Sequence, residues 1–304
     1  GVKEIGEKLQ QEGLVSRGFD FVYYIWRNNL KADLKAGDYI LNPGMTIREI
    51  ADKIAQGQVE AQKEKIEKIT IPEGFRNTKI VDLLKKERPA LADEFQKLSD
   101  CRCLVEAACD CDQFSQEFPL LKEIPPGGDL EGYLFPDTYF LAKNETGKSL
   151  ARKMLINFQS KTADLEEARK ASGFSWHQVI TLASVVEREA NTENDKKLVA
   201  SVFLNRIEQG MPLQSCATIA YAKNEDKIQF SYEDTRLESP YNTYLNPGLP
   251  PGPIANPGLE AIRAVLFPQE SDYFYFLNNL QTGEMVFSKT GEEHSQNKRL
   301  NGLE

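Results

Sequence analysis

Hydrophobic positions between residues 175 and 211 carry the strongest periodic signal in the chain. Val179, Leu182, Ala183, Val186 and Ala190 recur at helical spacing, which predicts a helix over residues 175–190 with one buried face. Glu187 and Glu189 stand at the end of this otherwise apolar segment. At 100° per residue Arg188 points away from the apolar stripe, while both glutamates fall on its flanks, where a carboxyl group is partly withdrawn from water. A second amphipathic stretch follows, with Leu198, Val199, Val202, Phe203 and Ile207 on one side and Gly210 as its stop. The polar link 191–194 is expected to bring the end of the first helix into a cleft.

Upstream the pattern is mixed. Val2, Ile5 and Leu9 are spaced as one helix face, and Phe19 to Trp26 form a second, aromatic-rich segment. Tyr39 to Leu41 suit a short strand and Pro43-Gly44 a turn. Thr46 with Glu49 makes a capping box ahead of Ile47, Ile50 and Ile54. A similar strand, turn and helix is expected from Ile69 through Gly74 to Leu84; shared composition explains this echo as well as duplication does. The Lys/Glu-rich stretch 62–68 suggests a domain boundary, dividing the chain into residues 1–62 and 63–304, with a variable helical insert around 85–125. Leu130 to Leu141 read as an extended segment bent at Pro136, with Glu131 and Asp137 set among large apolar groups. So many Pro, Gly and Asn residues in 239–258 exclude helix and central strand, leaving a long rigid loop of the kind that carries function. A helix near Leu259 to Leu266, a hairpin around Thr282-Gly283 and a polar tail with His294 complete the chain.

Composition narrows the chemistry. With 304 residues, 40% of them hydrophobic, the chain can bury a large core in two or three domains. A net charge of -9 argues against a nucleic-acid partner, since phosphate binding needs a basic surface. No run of eighteen apolar residues occurs, and any signal or membrane segment is expected outside this sequence. Zinc-protease motifs, phosphate-cradling glycine loops and a G-x-S-x-G elbow are missing from the sequence. With only His177 and His294, a Ser-His-Asp triad has little to draw on. Glutamate is left as the natural acid or base, because a carboxyl group flanked by apolar positions has its charged form disfavoured. On spacing alone, Glu187 and Glu189 read rather as a solvated helix end.

Several long motifs occur in a fixed order: K-A-G-D-Y-I-L-N-P-G-M-T, I-P-E-G-F, L-E-G-Y-L-F-P-D-T-Y, L-A-S-V-V-E-R-E-A, V-A-S-V-F-L-N-R-I and S-P-Y-N-T-Y-L-N-P-G-L-P-P-G-P-I-A-N-P-G. Together they resemble the YceG-like (MltG) endolytic murein transglycosylases, from about Ile5 to His294. The resemblance implies an α+β protein: a small N-terminal LysM-like α/β module, then a larger mixed α+β catalytic domain with a central catalytic helix and a Pro/Gly-rich loop. It implies cleavage of the MurNAc-GlcNAc β-1,4 bond within peptidoglycan glycan strands, leaving 1,6-anhydro-MurNAc ends and limiting strand length, with no cofactor and no metal. It assigns the catalytic acid/base to the second glutamate of E-x-E, Glu189, a choice the helical wheel leaves open. Glu187, Glu131, Gln214, Tyr241 and Asn242 fall in motifs that resemble substrate-binding positions. A single-pass membrane helix outside this sequence, an extracytoplasmic catalytic part and proximity to glycan polymerases are also implied. A binding module without turnover and a water-using glycoside hydrolase are the alternatives. Where the family usually has L-Q-[ST]-D-P-T, this chain has Leu213-Gln214-Ser215-Cys216-Ala217-Thr218. Cys101, Cys103, Cys109 and Cys111 form two Cys-x-Cys pairs, a poor match to zinc knuckles, for which disulfides or free thiols are preferred over a metal.

Overall fold

The computed structural model describes residues 1–304 apart from 38, 40, 42–44, 58–66, 101–110, 143, 226, 228–229, 280–281, 303–304 and the side chains of 111–113. Two compact units divide it, Gly1–Glu67 and Lys68–Glu304. The first packs α1 (Val2–Gln11), α2 (Gly18–Arg27) and α3 (Ile47–Ala55) around Leu9, Phe21, Ile25, Ile50 and Ile54. The capping box forms as the sequence suggests: Thr46 Oγ1 accepts the Glu49 N–H, and the Thr46 N–H donates to the Glu49 carboxylate at 2.7 Å. Among the described residues from 1 to 57 no strand forms, so Tyr39 and Leu41 lie in irregular backbone, and this unit shows helices alone.

From Glu67 onward helices dominate, with four short strands among the described residues. β1 (Glu67–Thr70) leads into α4 (Asn77–Glu87), α5 (Pro89–Ser99) and α6 (Cys111–Glu117). Cys101, Cys103 and Cys109 and the side chain of Cys111 lie outside the described residues. β2 (Thr138–Leu141) pairs with β1 and precedes α7 (Gly147–Thr162) and α8 (Glu166–Ser172). Then come α9 (Trp176–Glu189), α10 (Glu193–Glu208), α11 (Cys216–Lys223) and α12 (Leu259–Leu266). β3 (Tyr275–Asn278) and β4 (Met285–Ser288) form the expected antiparallel hairpin, Leu277 facing Val286. The polar tail is a helix, α13 (Gly291–Leu300), started by Thr290, whose hydroxyl accepts the Glu293 N–H.

α9 is the centre of this unit, and it differs from the one-faced helix expected from its periodicity. Every residue from Trp176 to Val186 except Gln178 is buried. A helix enclosed on all sides needs its polar groups satisfied locally. Thr181 and Ser184 meet that need by donating to the carbonyls of His177 and Thr181, both at 2.7 Å. α10, α11 and α12 pack against α9, and Ser175 begins it with a capping box to Gln178. Each fully buried Val, Leu or Ile here contributes roughly 1.5–3 kcal/mol, so the end of α9 is held on a stiff support.

One close approach tests the packing of α5 on α7. A Cβ on Gly147 would lie 2.9 Å from Leu91 O and from Glu94 C and would also collide with Phe95 N, all backbone of α5. Gly147→Ala is expected to cost about 1–3 kcal/mol through overpacking, read as a lower urea midpoint. An unchanged midpoint would show that α5 and α7 part readily enough to admit the methyl group.

Candidate active site

The helix ends where the two glutamates begin, and their surroundings differ. Glu187 faces inward: its carboxylate accepts Lys196 Nζ at 3.0 and 3.2 Å and the Gly258 N–H at 3.1 Å. Lys196 is 3% exposed and Glu187 8%, so this is a buried ion pair, with Glu73 and Glu260 farther out at 3.9 and 3.8 Å from Nζ. Burial, followed by repulsion from Glu187, raises the Glu73 carboxyl above its ordinary range, with Lys196 opposing. Glu187 therefore ties the end of α9 to α10 and to the Pro/Gly-rich loop.

Glu189 meets a different partner, the start of α11. Ser215 donates its hydroxyl to Glu189 Oε1, and the Ala217 backbone N–H is directed at the same carboxyl. Ser215 is the N-cap residue of α11, yet its side chain makes no capping bond. The Glu189 carboxyl supplies the acceptor that this helix N-terminus lacks. Burial raises the Glu189 carboxyl above the usual carboxylate range, while Ser215, Ala217 and the nearby Arg188 pull it back. A group so balanced can hold a proton and still give it up.

The Ser215 segment is pinned by the long loop. Ser215 N–H donates to Thr243 Oγ1 at 3.1 Å, and Ser215 O accepts the Thr218 hydroxyl at 2.7 Å. Thr218 and Thr243 hydroxyls lie 2.9 Å apart, and Gln214 N–H donates to Thr243 O at 3.0 Å. Gln214 is exposed and takes a left-handed φ of 54°, and its Oε1 accepts Arg206 Nη1 at 3.3 Å. Cys216 and Ala217 occupy the first turn of α11. Cys216 Sγ contacts Tyr244 Oη at 3.1 Å, and burial pushes its thiol up. Proline would be tolerated at position 217 but would lack the N–H directed at Glu189.

The remaining residues singled out from the sequence lie elsewhere. Asn242 is fully buried and braces its own loop, donating to Thr235 O and Leu237 O at 3.0 and 2.8 Å and accepting the Tyr244 N–H. Glu131, 4% exposed, accepts the Asn77 N–H at 3.1 Å and Asn256 Nδ2 at 3.2 Å, and burial raises its carboxyl well above the ordinary range. Tyr241 packs on Tyr221 at 4.8 Å, its phenol pushed up to about 12 by burial. It borders a cavity of about 200 Å³ with Asp129, His177 and Pro251. His177 Nε2 lies 2.9 Å from Pro251 O, which can only accept, so Nδ1 accepts the Tyr133 hydroxyl at 2.9 Å. Both ring nitrogens are thus engaged, and no serine is activated there. Glu189 and Gln214 are brought together by one segment, whereas Glu131 and Glu187 sit in inner polar networks.

Sequence reasoning missed Ser215, Lys196 and Asn256. Asn256 is 0% exposed and joins Phe75 O, Asn77 Oδ1 and Leu134 N to the loop. Its Asn-Pro-Gly setting marked a turn, but nothing local announced partners 122 to 181 positions away. Among the described residues no group of His, Cys, Asp and Glu could hold a metal, and no helix is long and apolar enough to cross a membrane.

Residues 1–300 match the YceG-like family. An endolytic murein transglycosylase of Bacillus subtilis strain 168 is 34% identical over 307 residues, covering 98% of this chain and 81% of that protein. One from Streptococcus pneumoniae D39 is 33% identical over 311 residues, covering 97% of this chain, which spans just over half, 56%, of that relative. The 2.6 Å crystal structure of a yceG-like protein from Listeria monocytogenes superposes with a TM-score of 0.68 at 34% identity, covering 98% and 96% of the two chains. The chain belongs to the YceG-like family.

Proposed function

We propose that this chain is an endolytic lytic transglycosylase that cuts the MurNAc-GlcNAc β-1,4 bond inside peptidoglycan glycan strands and so limits strand length. The observation that carries this reading is Glu189: a partly buried carboxyl, raised by burial and steadied at a helix N-terminus, on a chain whose relatives are named endolytic murein transglycosylases. Protonated Glu189 gives its proton to the glycosidic oxygen as the bond to MurNAc C1 breaks. The MurNAc 6-hydroxyl oxygen bonds to C1, and the carboxylate takes the hydroxyl proton, which returns Glu189 to its starting state. No water is consumed and one carboxyl suffices. Glu187, held by Lys196 and Gly258, is engaged away from this chemistry.

Gln214 and Tyr241 serve as strand contacts in this reading, and Glu187, Glu131 and Asn242 support them from within. The first unit acts as a LysM-like glycan grip. A single-pass membrane helix outside this sequence places the catalytic part on the outer side of the cytoplasmic membrane, close to glycan polymerases. Mass spectrometry of glycan strands after incubation tests the reaction: anhydro-MurNAc ends are expected. Reducing ends would establish a hydrolase instead, and intact strands a binding module.

A further inference from the structure

Ser215 stands out because its hydroxyl is diverted from the role its position predicts. A serine at a helix N-cap ordinarily bonds the N2 or N3 backbone N–H, a contact worth about 1 kcal/mol. Ser215 begins α11 without that bond and donates to Glu189 instead. Its backbone has no freedom to turn away. The N–H is held by Thr243, the carbonyl by Thr218, and the preceding Gln214 sits in the left-handed region that non-glycine residues seldom occupy. Ser215 is 2% exposed, so water does not compete for the hydroxyl.

We propose that Ser215 is a positioning residue for Glu189: its hydroxyl holds Oε1 as an acceptor, so that the labile proton is carried on Oε2. The inference rests on the lytic transglycosylase reading above. A carboxyl group has two oxygens of equal intrinsic basicity, and an acid that must protonate one particular glycosidic oxygen gains by having only one of them carry the proton. The same bond stabilises the carboxylate after transfer, when Glu189 must accept a proton from the 6-hydroxyl. Because Thr243 holds the Ser215 N–H, the Tyr-Asn-Thr-Tyr loop and the acid are set by one hydrogen-bonded ring of Ser215, Thr218 and Thr243.

The test is a 13C NMR titration of the Glu189 carboxyl carbon, assigned by its loss in Glu189→Gln, run on the parent and on Ser215→Ala beside a pH profile of product release. Loss of the donor disfavours the carboxylate, so the Glu189 titration is expected to move up by about one pH unit. The reaction needs the protonated acid, so kcat/KM falls as pH rises through that titration, and its alkaline limb moves up by the same amount. kcat is expected to drop about tenfold with KM little changed, and Ser215→Thr, which keeps the hydroxyl, returns both readings towards the parent. An unmoved titration in Ser215→Ala overturns the proposal, even if the rate falls. Should the alanine variant fail to fold, Ser215→Cys, a much weaker donor of similar size, is titrated in its place with the same two outcomes. If the parent releases no anhydro ends, the functional reading fails, while the titration still decides the role of Ser215.

Discussion

Glu189→Gln is expected to lower the release of anhydro-MurNAc ends by roughly 10³-fold, within the range that general acid–base groups contribute, while strand binding persists. Glutamine keeps the shape of the side chain and an Oε1 that can accept from Ser215, so the start of α11 keeps its partner. What is removed is the proton, and with it both the first and the second transfer. The measurement is product mass spectrometry on parent and variant, with strand binding followed separately by co-sedimentation. A variant that still cuts at the parental rate would move the acid role to another carboxyl. Glu187 could take it only by leaving Lys196 and the Gly258 N–H.

The second large effect is on stability. Lys196→Met is expected to destabilise the second unit by about 3–5 kcal/mol, because removing one member of a buried pair leaves the other charge uncompensated. Glu73 and Glu260 also lie within 4.0 Å of Lys196 Nζ but are 49% and 55% exposed, so Glu187, 8% exposed, is the carboxylate that the variant strands. Adding Glu187→Leu should recover most of the loss, since replacing a whole buried pair by apolar groups is often close to neutral. Urea midpoints of the single and double variants decide this. A single variant within 0.5 kcal/mol of the parent, the ordinary range for a surface substitution, would show that the pair is solvated. Activity of the double variant then separates two roles: a stable fold with slow turnover would mean that the clamp also aims the end of α9.

How much of this was legible beforehand depends on the range of the forces involved. Helix bounds were readable because caps and periodicity act over a few residues: α9 begins after the Ser175 capping box and α12 spans Leu259–Leu266, as their patterns suggest. The sequence marks only a polar tail around His294, because α13 buries none of its residues and so offers no apolar stripe. Of the short strand expected at 39–41, Tyr39 and Leu41 carry no strand and position 40 lies outside the described residues; a three-residue β signal is weak without a paired neighbour.

The sequence by itself determined the helix that ends in E-x-E, the absence of helix and strand from the loop at 239–258, and, through the order of its motifs, the family. It could not separate Glu187 from Glu189, because two residues on the flanks of one helix differ only in what packs against them. The tertiary structure made that distinction. It brought Lys196 and Gly258 to Glu187, from 9 and 71 positions away, and Ser215 to Glu189, from 26. Glu187 is taken up in an ion pair with Lys196, whereas at Glu189 burial favours the proton and the Ser215 hydroxyl and the Ala217 N–H help to release it. That difference arises from partners that only folding brings together.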